Sequence, residues 1–399
     1  MNLVLSHSKY QNVLLSLLII SGSLKVFLTY YEFPIDITVL ILGLVLIDFF
    51  YVLFTKKASL SLNKNSVFYI FTILLFYLIA VISLAFTPSF FLGIKKICLM
   101  LIPLIGFFYV RVIKILDLRV LYKILVYMAI PLAVWFIILK YFLWNNSPHF
   151  DFRTDAVRFN PLRNSYLSFG YLMGILSILS LKYSKIPFFV FLFATSIILG
   201  LGSRGAFVFL ILSCFIVYFK QIYFFFKNLR IKKTILQIVV FSFIPIIGVL
   251  FFYHEKIKVL FDYGLIRFTS LINASEDESL LGRIDQYSYV FQEGLSFQGL
   301  SVGFGLGSFG LNYSNHFGLS HPHNIFLEAW YELGFFAMCL LVAFFVLPFF
   351  HLKRKQIFLA LALFAFFNAM KTLSFSTDRN LFILFAILFF NKESYETYR

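Results

Sequence analysis

The chain has 399 residues, of which 61% are hydrophobic and only 13% are charged, and its formal net charge is +16. A soluble globule of this length needs far more polar surface, so the composition indicates an all-α, polytopic membrane protein. Aromatic residues make up 21% of the chain, chiefly 57 phenylalanines. Because phenylalanine enters a bilayer as readily as leucine, we interpret these residues as lipid-facing bulk, and nucleic-acid binding is excluded.

Apolar runs long enough to cross a bilayer recur from one end of the chain to the other. They predict about twelve transmembrane helices, at residues 13–31, 36–54, 67–86, 93–110, 121–143, 165–181, 186–202, 205–219, 234–252, 324–349, 356–371 and 379–391. The first run has no small-residue cleavage site and many further runs follow it. We therefore expect an uncleaved first helix.

Lysines and arginines concentrate in the loops that are cytoplasmic if the N-terminus lies inside, which predicts that both termini are cytoplasmic. Two polar segments then lie outside, at 145–164 and 253–322, the second as a long, partly helical loop between helices 9 and 10. We predict a transmembrane bundle of about nine helices at 1–252, the long loop at 253–322, transmembrane helices at 323–391 and a cytoplasmic tail at 392–399.

The three cysteines, Cys98, Cys214 and Cys339, each lie inside an apolar run and form no Cys-x-x-Cys pair. We predict neither a disulfide nor a metal site. The sequence also has no motif that would indicate a bound cofactor.

Two arginines beside glycines are candidates for binding an anion. Arg204 lies in Gly202-Ser203-Arg204-Gly205, where glycines permit a tight turn and close approach to a ligand. A snorkelling interfacial arginine explains Arg204 equally well. Arg283 follows Gly282, and a solvated loop arginine paired with Asp285 is its simpler explanation. Both are assigned to the same external side, where guanidinium groups are preferred partners of phosphate oxygens.

The shorter external segment carries a second basic set, Arg153, Arg158 and Arg163. Their spacing does not place them on one helical face, so we expect a loop. Simple solvation and binding of an anionic ligand explain these residues equally well, although external basic residues run against the positive-inside bias.

His321 and His323 lie where the long external loop meets the next apolar run. We expect a helix that begins near Pro322, with Ser320 as its cap. The positive end of that helix would hold His323 neutral and attract anions, which favours a general base beside a phosphate site. Either histidine is alternatively a structural bystander.

Asn324, Glu328 and Glu332 recur at four-residue spacing and are expected to share one face of this helix. A carboxylate there would orient the imidazole or bind a sugar hydroxyl, and helix capping and solvation explain Glu328 and Glu332 almost as well. The glycine-rich run at 303–307 follows no strand and is interpreted as a sharp turn before the helix, not as a nucleotide loop.

Taken in order, these motifs resemble those of the O-antigen ligase and polymerase superfamily of bacterial membrane glycosyltransferases. The resemblance covers about residues 195–335. It rests on the following groups of residues: Ser203-Arg204-Gly205; Gly282-Arg283 with Tyr287; Gly303, Gly305 and Phe309; and His323-Asn324 with Leu327, Glu332 and Gly334. The chain departs from the family in having Tyr287 where tryptophan is common, and Pro322 where a small residue is frequent.

The resemblance implies a GT-C-like fold in the bacterial inner membrane, with the active site facing the periplasm. It implies metal-independent, inverting transfer of a glycan from undecaprenyl diphosphate, with Arg204 and Arg283 on the diphosphate and His323 as the base for an acceptor hydroxyl. The implied partners are the lipid-linked oligosaccharide, an acceptor glycan or lipid A-core, membrane lipid, and a chain-length regulator.

Within this superfamily we predict an O-antigen polymerase, with an O-antigen ligase as the nearest alternative. A polysaccharide or lipid transporter is a rival from another class, but repeat symmetry and charges deep inside several spans are lacking. Asp48, Lys25 and Lys140 are the main charges in the apolar runs, and we place them near span ends. A purely structural membrane component is the remaining alternative.

Overall fold

The computed structural model describes residues 2–55, 64–113, 116–146, 165–227, 278–315, 318–352, 355–371, 374–376 and 378–390. Over these ranges the chain forms helices and turns without a strand, which confirms the all-α prediction. The predicted span 234–252, the first part of the long loop at 253–277 and the predicted tail 392–399 lie outside the described residues. So do Arg153, Arg158 and Arg163.

In chain order the helices follow the apolar runs closely. They are α1 (Asn2–Tyr30), α2 (Ile37–Thr55), α3 (Lys64–Ile82), α4 (Phe90–Val112), α5 (Leu118–Ile124), α6 (Ile130–Asn146), α7 (Ser165–Tyr183), α8 (Pro187–Leu201), α9 (Arg204–Lys227), α10 (Glu278–Gly294), α11 (Phe297–Ser301), α12 (Phe309–Ser314), α13 (Ile325–Leu333), α14 (Phe335–Leu352), α15 (Gln356–Ala369) and α16 (Arg379–Phe390). A π-helical turn, Leu125–Ala129, joins α5 to α6.

Six of the described helical stretches are long and apolar enough to cross a membrane. They are His7–Tyr30, Ile37–Thr55, Lys64–Ala85, Phe90–Val112, Leu118–Leu139 and Tyr166–Tyr183. Shorter apolar helices occupy Pro187–Leu201, Arg204–Phe219, Phe335–Phe350, Gln356–Ala369 and Arg379–Phe390. The chain is therefore a multi-pass membrane protein, and the count of about twelve spans stays a prediction.

Two compact units make up the chain, one formed by Met1–Ile124 with Ala274–Arg399 and the other by Leu125–Asn273. In the first unit α3, α14 and α16 pack through aromatic rings. The Tyr69 ring stacks on Phe344 at a centroid distance of 4.7 Å and on Phe389 at 3.9 Å, and all three side chains are buried. Part of the aromatic content is thus interior packing, which the lipid-facing interpretation did not include.

The predicted span 324–349 is wrong as a single helix, because the chain breaks at Gly334. Gly334 has φ +88°, and a Cβ there would lie 2.4 Å from the Ser301 carbonyl oxygen. Only glycine tolerates that conformation and that close approach. The break separates the nine-residue, fully buried α13 from the apolar α14.

Asp48 of α2 links three helices of the first unit and is buried within the bundle. Its Oδ2 accepts hydrogen bonds from Gln11 Nε2 at 3.0 Å and from the Tyr109 hydroxyl at 2.9 Å. His7 Nε2 lies 3.3 Å from Asp48 Oδ1. This satisfied carboxylate ties α1 and α4 to α2, since a buried charge needs several partners.

Candidate functional site

Arg204 begins α9 in the second unit, directly after a left-handed turn. Gly202 has φ +71° and ends α8, donating its N–H to the Ile198 and Leu199 carbonyls. The next residue, Ser203, is buried, and a Cβ at position 170 of α7 would lie 2.3 Å from its Oγ. The turn therefore fixes Arg204 at the N-terminus of a helix, where the backbone favours negative charge.

In the first unit, α13 begins at Ile325 with Asn324 as its cap. The Asn324 Oδ1 accepts hydrogen bonds from the Phe326 N–H at 2.9 Å and the Leu327 N–H at 3.2 Å. The expectation that Ser320 caps this helix was wrong, because His323 is in the left-handed conformation and Asn324, which is extended, caps the helix that begins at Ile325.

His323 directly precedes the cap residue of this helix and has an uncommon backbone conformation. Its φ is +54°, and its ring lies 4.9 Å from the ring of His321, edge to face. Left-handed φ values are infrequent for residues other than glycine, although histidine is among those that adopt them more readily. Such conformations persist where surrounding contacts enforce them, and they occur often at functional sites.

The surroundings of His323 keep its imidazole neutral. Burial, the charge of His321 and the charge of Arg283 lower the pKa of His323 to about 4. The sequence predicted a neutral imidazole from the helix end alone. In the structure the largest cause is burial, and the Coulombic effects of His321 and Arg283 add to it.

Arg283 reaches this loop from α10, the amphipathic helix that packs on α13. One turn later Tyr287 hydrogen-bonds Asn324 and lies within range of the Arg283 charge. Arg283, Tyr287, His321, His323 and Asn324 are thus brought together in the first unit. The sequence alone predicted only part of this arrangement, because α10 and α13 are distant in sequence and their packing leaves no local pattern.

An aromatic cluster fixes α10, α12 and α13 beneath these polar groups. Its buried members are Val290, Phe309, Leu327, Trp330 and Tyr331. The Tyr331 hydroxyl also lies 3.1 Å from the Tyr289 hydroxyl and accepts a hydrogen bond from Asn312 Nδ2 at 3.0 Å. Such a core restricts the motion of the loop that it carries.

The glycine-rich run follows the backbone of α13 and forms the sharp turn that the sequence predicted. Phe304 N–H donates to the Tyr331 carbonyl at 2.9 Å, and Gly305 N–H donates to the Glu332 carbonyl at 3.0 Å. Gly305 has φ +90°, and a Cβ there would lie 2.4 Å from Thr87 Cα. Thr87 in turn donates its hydroxyl to the Leu306 carbonyl at 2.8 Å.

Glu328 and Glu332 do share one face of α13, but that face meets Lys96 of α4. Lys96 Nζ lies 2.5 Å from Glu328 Oε1 and 2.7 Å from Glu332 Oε2. Both glutamates are 0% exposed. Asn324, which was expected on the same face, is the helix cap instead.

The region 189–342 matches the sequence model of the family described as O-Antigen ligase. This match supports the O-antigen ligase and polymerase superfamily for the region 189–342. The matched region contains Arg204, Arg283 and His323, the three residues to which the sequence assigned diphosphate binding and base chemistry. No curated protein matches the chain.

The superfamily points to a membrane glycosyltransferase that acts on a lipid-linked glycan and an acceptor. Within the described residues, no three histidine, cysteine, aspartate or glutamate side chains converge as metal ligands. The groups that do converge on the His323 loop include the cationic Arg283, which suits an anionic ligand.

Sequence reasoning missed Lys96, which lies in α4 outside the matched region. A signal was present, because a lysine inside an apolar run needs a buried partner, and Glu328 and Glu332 are spaced to supply one. Without the fold, nothing in the sequence joins positions more than 200 residues apart.

Proposed function

We propose that the chain is an inverting, metal-independent glycosyltransferase that takes a glycan from undecaprenyl diphosphate and joins it to an acceptor sugar hydroxyl. The proposal makes it an O-antigen or surface polysaccharide polymerase. The observation that carries it is the neutral imidazole of His323, held beside the cationic Arg283 in a region that matches the O-antigen ligase family.

In the proposed step, a neutral His323 nitrogen takes the proton of the acceptor hydroxyl. The acceptor oxygen forms a bond to the anomeric carbon as the bond from that carbon to the diphosphate oxygen breaks. The electron pair of the broken bond stays on the departing undecaprenyl diphosphate. Arg283 would stabilise that charge, since fixed cations act most strongly where charge develops, and the family resemblance assigns diphosphate binding to Arg204 as well.

The site would face the periplasm, with both termini in the cytoplasm of a bacterial cell. The distribution of lysine and arginine between alternate loops supports this orientation. A polyprenyl donor also suits an enzyme in the inner membrane, because its tail stays in lipid while the diphosphate meets polar side chains. A chain-length regulator is a further proposed partner.

An O-antigen ligase, which moves finished glycan to lipid A-core, is the second candidate. The description of the matching family favours it. A deletion strain separates the two when its surface and lipid-linked glycans are sized. Single repeats on the core would show a lost polymerase, and long chains held on undecaprenyl diphosphate would show a lost ligase. Normal glycans in both pools would contradict the proposal.

Purified enzyme variants test the site itself. His323→Ala, Arg283→Ala and Arg204→Ala should each lower transfer by at least about 100-fold while the protein remains inserted in the membrane. His321→Ala is the matched histidine control and should lose less activity than His323→Ala. Arg119→Ala changes an exposed arginine of α5 and is the arginine control. Full activity of His323→Ala would refute the base assignment.

A further inference from the structure

Lys96, Glu328 and Glu332 form a buried ionic cluster that the proposed chemistry does not use. Lys96 is 1% exposed and the two glutamates are 0% exposed. Charges removed from water lose several kcal/mol of hydration each, and a well-packed apolar replacement of such a cluster is often as stable. Stability alone therefore does not account for a lysine and two carboxylates at this place.

The two carboxylates differ in their partners. Glu328 Oε1 accepts hydrogen bonds from Lys96 Nζ at 2.5 Å and from Ser374 Oγ at 2.8 Å, and Glu328 Oε2 accepts one from the Phe375 N–H at 3.0 Å. Glu332 Oε2 accepts from Lys96 Nζ at 2.7 Å, and the Gly307 backbone N–H also interacts with this carboxyl, while Glu332 Oε1 makes no hydrogen bond of normal length. Glu328 therefore has more hydrogen-bond donors around it than Glu332 has, and its donors come from α4 and from residues 374–375.

A direct path joins this cluster to the His323 loop. Glu328 lies one turn into α13, and its N–H donates to the carbonyl of the cap residue Asn324 at 2.9 Å. Asn324 follows His323 directly. A helix of nine residues is too short to hold its own orientation, so its rotation depends on contacts such as the Lys96–Glu328 pair.

We infer that Lys96 and Glu328 are positioning residues: their ion pair sets the rotation of α13, and thereby the placement of His323, while Glu332 is a second acceptor for Lys96. This inference rests on the proposed function for its link to transfer. Burial raises the pKa of the Glu332 carboxyl, with Glu328 adding to the rise and Lys96 opposing it.

The inference predicts that the two glutamates respond unequally to the same change. Glu332→Gln keeps the shape of the side chain and an oxygen that accepts from Lys96, and it leaves the contacts of Glu328 in place. Glu328→Gln removes the anion and points an amide N–H₂ at groups that are themselves donors. We expect Glu328→Gln to lower kcat on the order of 100-fold more than Glu332→Gln, with the donor KM little changed, because small displacements of a base are costly. Lys96→Met should resemble Glu328→Gln.

The experiment uses the full-length protein in membranes, with wild type and all variants normalised to the amount inserted. Transfer of lipid-linked glycan gives kcat and KM. In parallel, the rate at which diethylpyrocarbonate modifies His323 is followed by mass spectrometry of the peptide. We expect Glu328→Gln to change that rate severalfold and Glu332→Gln to change it less. The second measurement does not depend on transfer.

The two measurements separate failure of the inference from failure of the proposed function. A wild-type protein without transfer refutes the proposed function, and the modification rates of His323 still decide the positioning claim. Equal effects of Glu328→Gln and Glu332→Gln, or a Glu328→Gln variant with wild-type kcat and His323 reactivity, would overturn the inference.

Ser374→Ala provides a milder variant in case Glu328→Gln fails to insert. It keeps the ion pair and removes the hydroxyl that donates to Glu328 Oε1 and also contacts Ser376. We expect a several-fold lower kcat at an unchanged donor KM, together with altered His323 reactivity. Wild-type values of both would count against Glu328 as a positioning residue.

Discussion

The low pKa of His323 leads to a distinctive pH profile for the free enzyme. A pKa of about 4 in place of 6.5 corresponds to at most about 3 kcal/mol of preference for the neutral ring. The pKa of His323 is lower in the folded protein than in the unfolded chain. Between these two pKa values the folded protein therefore binds fewer protons than the unfolded chain does. Stability is therefore unaffected above pH 7 and decreases as the pH falls through this window, by up to about 3 kcal/mol.

Catalysis should show the same shift in the acid limb of kcat/KM, which reports groups of the free enzyme. Between pH 7 and pH 5.5, a base with a pKa of 6.5 would lose about eightfold in its neutral fraction, whereas His323 should lose less than about a tenth. Initial rates at limiting donor concentration measure this directly. His321→Ala removes one of the charges that disfavour protonation and should move the limb to higher pH.

Binding of the donor should reverse part of this shift. The diphosphate brings negative charge to the surroundings of Arg283, which favours the protonated imidazole and makes His323 a stronger base in the complex. The acid limb of kcat, which reports the complex, is therefore expected at a higher pH than that of kcat/KM. A kcat/KM limb at or above pH 6.5 in wild type would refute the reasoning.

Three further substitutions, two of them with a comparison variant, test the packing of the first unit by the unfolding temperature of solubilised protein. Gly305→Ala should destabilise by more than about 2 kcal/mol, because it combines φ +90° with a Cβ 2.4 Å from Thr87 Cα. Gly43→Ala, which meets nothing within 4 Å, should be neutral or stabilising, and equal effects would contradict the clash. Asn324→Ala should cost about 1 kcal/mol through the lost cap, and restoration by Asn324→Asp would confirm the cause. Asp48→Ala should cost about 3 kcal/mol, since its buried donors lose their acceptor, and a wild-type unfolding temperature would argue against this network.

The helical class and the positions of most helices could be predicted from the sequence, because each apolar run is long and bounded by polar residues. The break at Gly334 could not, since the run at 324–349 is apolar on both sides of it. Its cause is the approach of Ser301 from another helix, and such a contact leaves no local pattern.

The polar residues of the site could be selected from the sequence, but their surroundings could not. His323 and Arg283 were identified by residue type and motif, and the structure places them together. The cap of α13 was assigned to Ser320 because the residue types there fit a helix start, whereas the left-handed turn at His323 moves that start to Asn324. Lys96 required knowledge of which helices pack together.

The left-handed backbone of His323 bears on how a complex with substrate can be captured. Trapping a bound donor and acceptor requires a protein that cannot react and yet keeps the loop in its native shape. Alanine at this position removes the base, but alanine rarely adopts a φ of +54°. A β-branched residue is disfavoured still more strongly in that conformation. Asparagine adopts such angles readily and cannot act as a base in this way. His323→Asn is therefore the variant best suited to hold both substrates in place for structure determination.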